Sequence, residues 1–287
     1  MEPLIYLDND FIAPSHAKIS VFDLSIARGY GVSEYLRTYD RYPFRLLDHL
    51  LRFKNSATEV GIPFAKTIDE LTAIVQEAIN RVSFEDVGIK FILTGGPSED
   101  GYFPSGKPHL ILIASPFVPY PKHLYKKGAI LDTITCCRRF PSAKTTEYLP
   151  ALVAMQRSKK DCTDVLFVDG KGAILEAGFS NFFAFKQGTL ITPASHILPG
   201  ITRKVILEIA KEHFPIETRT IQQEEIPSFD AAFITSSNKE VMPIVQISHH
   251  KIGTGVVPDA TRWLMKTFHN QVLKECQSNK TQHSKSC

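Results

Sequence analysis

Long apolar runs are missing from this chain of 287 residues, and none approaches the roughly 20 residues that a membrane-spanning helix needs. The N-terminus, MEPLIYLDND, lacks the basic leader, apolar core and small-residue cleavage site of a secretory signal. Cysteine is scarce. Cys136, Cys137, Cys162, Cys276 and Cys287 are odd in number and contain no CxxC pair, which excludes a disulfide frame or a thiolate zinc site and points to free thiols in a reducing cytoplasm. Without a leader, the sequon at Asn279 carries no weight. Excess charge is missing too, since 33 Lys and Arg face 30 Asp and Glu for a net +3, so there is no electrostatic footprint for nucleic acid. The basic pairs Lys126–Lys127, Arg138–Arg139 and Lys159–Lys160 read as solvated surface. No HExxH, no GxSxG and no paired metal spacing occurs among the ten histidines. The run from Gly101 to Lys107 matches GxxxxGK, but Pro108 replaces the hydroxyl that would hold magnesium and a strand pattern follows, so it is a turn.

What is present is a chain long enough for one large or two modest domains, 43% hydrophobic and without internal repeats. Leu4–Ile12 reads as two short strands around an Asp-Asn-Asp turn, with a further extended stretch at Lys18–Asp23. Gly29–Tyr39, the turn at Asp40–Arg41 and Tyr42–Leu46 read as a hairpin. Asp48–Gly61 places Leu50, Leu51, Phe53, Ala57 and Val60 on one helical face, and Thr67–Val82 does the same with Leu71, Ile74, Val75, Ala78 and Ile79. Strands Ile89–Thr94 and Leu110–Ser115 follow. The proline-rich stretch Pro116–Pro121 then marks a connector. Beyond it strands and helices alternate: Ala129–Cys136, helix Pro150–Lys159, Val165–Asp169, Phe182–Phe185, Leu190–Thr192, helix Ile201–His213, Ile216–Thr220, Ala231–Thr235 and helix Asp259–Glu275, with a polar tail expected to fray after Cys276. The pattern predicts a two-domain α/β (α+β) enzyme, with a small N-terminal α/β domain at 1–117, a linker at 118–122 and a larger mixed α/β domain at 123–287. Its site is expected between the domains, a common place for cofactors.

The stretch from Arg138 to Lys204 organises the rest. Lys144 stands in a short polar loop before an apolar helix, and Glu176 lies 32 residues later in LEAGFSN, on the turn after strand Val165–Asp169. The cluster Leu198-Pro-Gly-Ile-Thr-Arg203 then opens a helix. A lysine, a carboxylate and a glycine-opened helix start are what a protein needs to hold pyridoxal phosphate. Taken together, Lys144, Glu176-Ala-Gly-Phe-Ser-Asn181 and Leu198-Pro-Gly-Ile-Thr-Arg203 resemble the class IV (fold type IV) pyridoxal-phosphate-dependent aminotransferases. That family includes branched-chain and D-amino acid aminotransferases and aminodeoxychorismate lyases, and the likeness spans nearly the whole chain.

The resemblance implies roles residue by residue. Lys144 carries pyridoxal 5'-phosphate as an imine and shuttles the substrate Cα proton, which requires it to be neutral part of the time. Glu176 keeps the ring nitrogen protonated, and Asn181 braces the turn beside it. The phosphate falls to the backbone N–H groups of Ile201 and Thr202, to the Thr202 hydroxyl and to Arg52 in HLLRFKNSA. Ser236 and Ser237 match a second hydroxyl loop over the phosphate and the substrate carboxylate. Bland readings stand beside these: a helix-surface arginine for Arg52 and ordinary turn residues for the two serines.

Ser33, Tyr35, Lys90 and Tyr148 make up the substrate-facing set. Ser33 stands where the family usually has an aromatic residue, leaving a roomier or more polar pocket. Lys90 stands near a branched-chain enzyme's arginine, with a plain strand-surface lysine as the equal alternative. The loop from Gly95 to Tyr102 lacks the Arg-x-His pair of the D-amino acid enzymes, and Glu147 replaces an asparagine common in the D-enzymes and lyases. Glu34, in a V-x-E-x-x-R setting, favours the transaminases. The resemblance therefore implies a homodimeric transaminase acting between a small apolar amino acid and 2-oxoglutarate, or alternatively a lyase releasing pyruvate from aminodeoxychorismate, with a D-amino acid transaminase third.

Overall fold

A computed structural model of the chain describes residues 2–158 and 161–283. The Lys159–Lys160 pair, the expected helix end at Lys159, and Cys287 lie outside the described residues. The chain divides into two compact units. Unit 1 comprises Met1–Val118, Ala143–Glu147 and Val272–Cys287, and unit 2 comprises Pro119–Ser142 and Tyr148–Gln271. The first division falls inside the proline-rich connector. It differs from two continuous stretches in that the five residues around Lys144 and the C-terminal residues count with unit 1.

Unit 1 begins with β1 (Leu4–Leu7) and β2 (Asp10–Ile12), turned at Asp8 with φ 57°. Lys18–Asp23 is not a strand. Asp23 makes one isolated bridge to Pro97, and its carboxylate accepts from Ser25 N–H to cap α1 (Leu24–Arg28). β3 (Gly31–Tyr39) turns through Asp40 and Arg41, both at positive φ, into β4 (Tyr42–Pro43), the two-residue hairpin geometry that matches strand twist. α2 (Leu46–Glu59) and α3 (Ile68–Arg81) follow, the latter started by a Thr67–Glu70 capping box, then β5 (Val87–Thr94) and β6 (Leu110–Pro116). The sheet runs β2-β1-β6-β5-β3-β4, antiparallel throughout. Its core joins Val32 and Leu36 of β3 to Phe91 of β5, Leu50 and Phe53 of α2, and Leu71 and Val75 of α3.

On α2 the buried face is not the purely apolar one that the spacing predicts. Leu51 is exposed, while His49, Arg52 and Ser56 are buried beside Leu50, Phe53 and Ala57. The cause lies on the facing strand, where Glu34 turns inward.

Unit 2 contains α4 (Lys122–Lys127), β7 (Ala129–Thr135), α5 (Leu149–Arg157), β8 (Cys162–Val168), β9 (Ala173–Ala177), β10 (Asn181–Lys186) and β11 (Thr189–Pro193). It continues with α6 (Ile201–Ala210), β12 (Ile216–Arg219), β13 (Ile221–Gln222), β14 (Ala231–Ser236), β15 (Glu240–Ile247) and β16 (His250–Lys251). The strand order is β12-β11-β10-β14-β15-β7-β8-β9-β13, with β16 paired to β15. The pairs β7–β8, β7–β15 and β11–β12 are parallel. β9, β10 and β14 are buried along all or nearly all of their length, and Leu131, Leu166, Phe182, Ile234 and Met242 are completely buried in the core of the sheet.

α7 (Asp259–His283) counts with unit 2 up to Gln271 and with unit 1 from Val272. It continues into the polar tail, where fraying is expected, as far as His283, while α6 ends at Ala210, short of His213. Among the described residues no helix is long and apolar enough to cross a membrane, and no group of His, Cys, Asp or Glu is placed to hold a metal ion.

Candidate active site

In unit 1 the half-buried Lys144 is positioned through its backbone. Its carbonyl accepts from Ser33 N–H at 2.7 Å, and its N–H donates to Ser56 Oγ at 3.0 Å. Thr145 bridges Val32, and Thr146 N–H donates to Gly31 O at 2.9 Å, so the segment lies as a short extra strand along β3. Gly31 permits this approach: a Cβ there would meet Leu93 O at 3.1 Å and Thr146 Oγ1 at 3.2 Å.

The buried face of α2 explains the other polar groups. Arg52 Nε donates to Glu34 Oε2 at 2.8 Å and Nη2 to Oε1 at 2.6 Å, a bidentate pair. His49 Nδ1 lies 3.0 Å from Glu34 Oε1 and must be the protonated nitrogen, because a carboxylate only accepts. Arg52 is thus no helix-surface arginine. Its Nε and Nη2 are engaged by Glu34. Burial pushes the Glu34 carboxyl up, but the Arg52 guanidinium and the hydrogen bonds from Arg52 and His49 outweigh it and hold the group well below the ordinary carboxylate range. Burial lowers His49; Glu34 opposes this, and Arg52 and Lys144 add to it.

Both groups bind a proton less readily folded than unfolded, so the unfolded chain takes up protons first as pH falls. Their stabilising contribution is therefore present at neutral pH and lost in acid, the His49 share below its ordinary 6.5 and the Glu34 share below its ordinary 4.5. Urea midpoints measured from pH 7.5 to 3.5 are expected to fall in those two stages. His49→Gln is expected to flatten the upper stage and leave the lower one.

Of the substrate-facing set in unit 1, Ser33 is buried, Tyr35 is half-buried and Lys90 is exposed. Tyr35 and Lys90 are cross-strand partners on β3 and β5, and the Tyr35 ring lies over Gly88, where a Cβ would come within 2.7 Å of its hydroxyl.

In unit 2, Glu176 does not stand on a turn. It lies within β9, whose five residues are all buried, and the turn begins after Ala177. Its Oε2 accepts from Leu198 N–H at 3.0 Å and Asn181 Nδ2 at 3.2 Å, and its Oε1 pairs with Arg138 Nη1 at 3.4 Å. Asn181 Nδ2 also donates to Leu198 O at 2.8 Å, tying the carboxylate to the loop before α6. Arg138 was expected at the surface together with Arg139. Instead its side chain is only 14% exposed and faces Glu176, a partner 38 residues away that no local pattern reveals.

α6 starts at Gly200 with no side-chain cap, and its first residues, Ile201 and Thr202, are buried. Such a start leaves N–H groups that an anion can satisfy. A Cβ on Gly200 would lie 1.8 Å from Asn181 Oδ1. Asn181 cannot move aside without releasing both Glu176 and Leu198. Gly200→Ala is therefore expected to cost about 1–3 kcal/mol in urea unfolding through overpacking, and to weaken phosphate-ester binding in the same protein. Ser236 and Ser237 lie where β14 enters the turn to β15, and Ser236 Oγ donates to Asn238 Oδ1 at 2.7 Å. Tyr148, the residue before α5, stacks on Phe179 with centroids 5.3 Å apart and 6° between planes. A buried, uncapped helix start beside a carboxylate fixed by three donors fits a phosphorylated pyridine: N–H groups for the phosphate and an anion for the ring nitrogen.

Residues 31–247 match the family described as amino-transferase class IV. A Methanocaldococcus jannaschii protein named as an inferred branched-chain-amino-acid aminotransferase is 31% identical over 92% of this chain and 94% of its own. The D-alanine aminotransferase of Staphylococcus haemolyticus is 28% identical over 93% of this chain and 97% of its own. Among solved structures, the fold is that of the branched-chain aminotransferase from the thermophilic archaeon Thermoproteus uzoniensis, solved with norvaline. The TM-score is 0.86 at 26% identity over 94% of this chain and 95% of that one. The chain belongs to the class IV aminotransferases, a family of pyridoxal-phosphate-dependent enzymes of fold type IV.

Proposed function

We propose that this chain is a transaminase that moves an amino group between a small apolar amino acid and 2-oxoglutarate, with Lys144 as its catalytic residue. The observation that supports the reading is the presence, in a chain of this family, of Lys144, the buried Glu176 and the uncapped start of α6. Pyridoxal 5'-phosphate, when bound, supplies the electron sink that stabilises charge developing at the substrate Cα. Lys144 then takes the Cα proton and returns it as general base and acid. Glu176, fixed by Leu198 N–H and Asn181 and paired with Arg138, holds the proton on the ring nitrogen. The N–H groups of Ile201 and Thr202, with Arg52 and the Ser236–Ser237 turn, take the phosphate and the substrate carboxylate.

Support for an apolar substrate comes from the stacked Tyr148–Phe179 pair and from a Gly95–Tyr102 loop with neither arginine nor histidine to grip a carboxylate. The family resemblance supports a homodimer.

The test is an absorbance spectrum of the protein incubated with pyridoxal phosphate, repeated with L-leucine, L-glutamate, D-alanine and aminodeoxychorismate. A visible band that bleaches with L-leucine, with keto acid released, is expected. Bleaching with D-alanine alone would move the substrate to the D-series. A band that persists while aminodeoxychorismate yields pyruvate and 4-aminobenzoate would make the enzyme a lyase. No band would sink the reading.

A further inference from the structure

Lys239 is the most deeply buried cation among the described residues, with its side chain 1% exposed, and none of the roles above uses it. Its Nζ donates to Asp164 Oδ2 and to Ser180 Oγ, each at 2.9 Å, and Asp164 is itself completely buried. Ser180 Oγ closes the triangle with a 3.2 Å bond to Asp164 Oδ2. The ammonium also lies 5.5 Å from the Tyr120 ring centroid and 5.7 Å from that of Phe179. Charged side chains are almost never this buried unless paired. A buried pair adds little stability over apolar residues of the same volume, so what it contributes is sought in geometry.

The geometry is specific. Lys239 is the last residue of the three-residue turn Ser237–Lys239, which joins β14 to β15 with Ser236 opposite Glu240. Its N–H donates to Ser236 O at 3.2 Å, its carbonyl accepts from the Tyr125 hydroxyl at 3.0 Å, and Glu240 after it has φ 55°. Held at its N–H, carbonyl and Nζ, Lys239 leaves the turn little freedom. The far end of the triangle belongs to the turn that follows Glu176, where Ala177 and Ser180 exchange backbone hydrogen bonds at 2.7 and 3.2 Å. There Gly178 packs so closely that a Cβ would meet Ala151 at 2.8 Å and Asp164 Oδ1 at 3.2 Å. Phe179, between Gly178 and Ser180, faces the ammonium and also stacks on Tyr148.

We propose that Lys239, through Asp164 and Ser180, is a positioning residue that locks the Ser236–Asn238 hydroxyl turn to the Glu176–Asn181 segment and sets the Phe179–Tyr148 wall, thereby determining how tightly phosphate and substrate carboxylate are held. This rests on the function proposed above only in identifying which ligands those elements meet. Lys239 touches no reacting atom; it acts by fixing where the serines and the two rings stand. Such placement governs ground-state capture more than the proton-transfer step that Lys144 carries out.

The test compares wild type, Lys239→Arg and the double variant Lys239→Met with Asp164→Asn, which leaves no buried charge unpaired. Unfolding midpoints, the Kd of pyridoxal phosphate by titration, and KM and kcat of the loaded enzyme are read. The double variant is expected to fold, with Kd and KM raised about tenfold or more and kcat within about threefold of wild type. Lys239→Arg, which keeps the charge, is expected to lie closer to wild type. A folded double variant with wild-type Kd and KM would overturn the proposal and leave the pair as scaffold. If the double variant does not fold, Ser180→Ala decides: it keeps both charges and removes one anchor, and an unchanged Kd and KM there overturns the proposal equally. A wild type that binds pyridoxal phosphate but transfers no amino group removes the proposed function, while the Kd comparison still decides this one.

Discussion

Lys144→Ala is expected to fold normally and to lose amino transfer by at least about 10³-fold, because one residue supplies both the covalent anchorage and the proton relay. The fold survives because what places Lys144 is its backbone. Ser33 N–H, Ser56 Oγ and the Thr146–Gly31 bond hold the segment against β3 whatever side chain it carries. Alanine also adopts the extended backbone of a bridged segment without strain. Thermal unfolding of the variant should therefore stay within a few degrees of wild type, while the pyridoxal-phosphate-loaded protein loses its amino-acid-dependent spectral change. Small primary amines added to the assay are expected to restore part of the rate, with an efficiency that tracks their basicity, because the missing function is a proton acceptor of amine type. Slow turnover of a yellow variant within about tenfold of wild type would move the general base elsewhere. The measurement also separates chemistry from folding, since a loss of both rate and unfolding midpoint would make Lys144 a structural contact.

How legible was this in the sequence? Periodicity found α3 almost to the residue, because its start is written in a capping box and its apolar spacing is regular. The Asp40–Arg41 turn was legible for a similar local reason. The same reasoning found Leu50, Phe53 and Ala57 on the inward face of α2 but wrongly added Leu51 and missed the polar part, since it counts apolar residues and cannot see that Glu34, on a different element, draws Arg52 and His49 inside. β15 escaped notice because Pro243 reads as a strand breaker. It is tolerated in the stretch paired to β14, before pairing with β7 begins at Ile244.

Glu176 was picked out as a residue but misplaced. LEAGFSN carries a turn signal, and the carboxylate sits just upstream of that turn, on the strand. The pairs that remained invisible, Arg138 with Glu176 and Lys239 with Asp164, join residues 38 and 75 positions apart. In each case the sequence around the cation, two arginines or Ser-Ser-Asn-Lys-Glu, looks like solvated surface. Only the sheet topology supplies the partner.

Glu176→Gln is the second large effect, expected to lower kcat by about 10²–10³-fold, the range for removing one preorganised electrostatic partner. Geometry makes the amide a poor isostere here. Oε2 already accepts two bonds, from Leu198 N–H and Asn181 Nδ2, so the amide oxygen must occupy that place to keep them. The amide nitrogen then falls at Oε1 and points hydrogens at the Arg138 guanidinium, donor against cation. Leaving that buried pair mismatched is expected to cost about 1–3 kcal/mol of stability in urea unfolding, which is an effect on the fold. The catalytic effect is separate, because a neutral amide cannot hold a proton on a ring nitrogen as a carboxylate does. Glu176→Asp tells them apart: it keeps the charge but withdraws it by one methylene. It is expected to recover most of kcat if the charge is what matters, and little if the contact with Leu198 and Asn181 is. Adding Arg138→Met to Glu176→Gln removes the stranded cation and should return part of the lost stability with no gain in kcat. Recovery of both together would mean that Glu176 serves the fold alone and that the ring nitrogen finds its partner elsewhere.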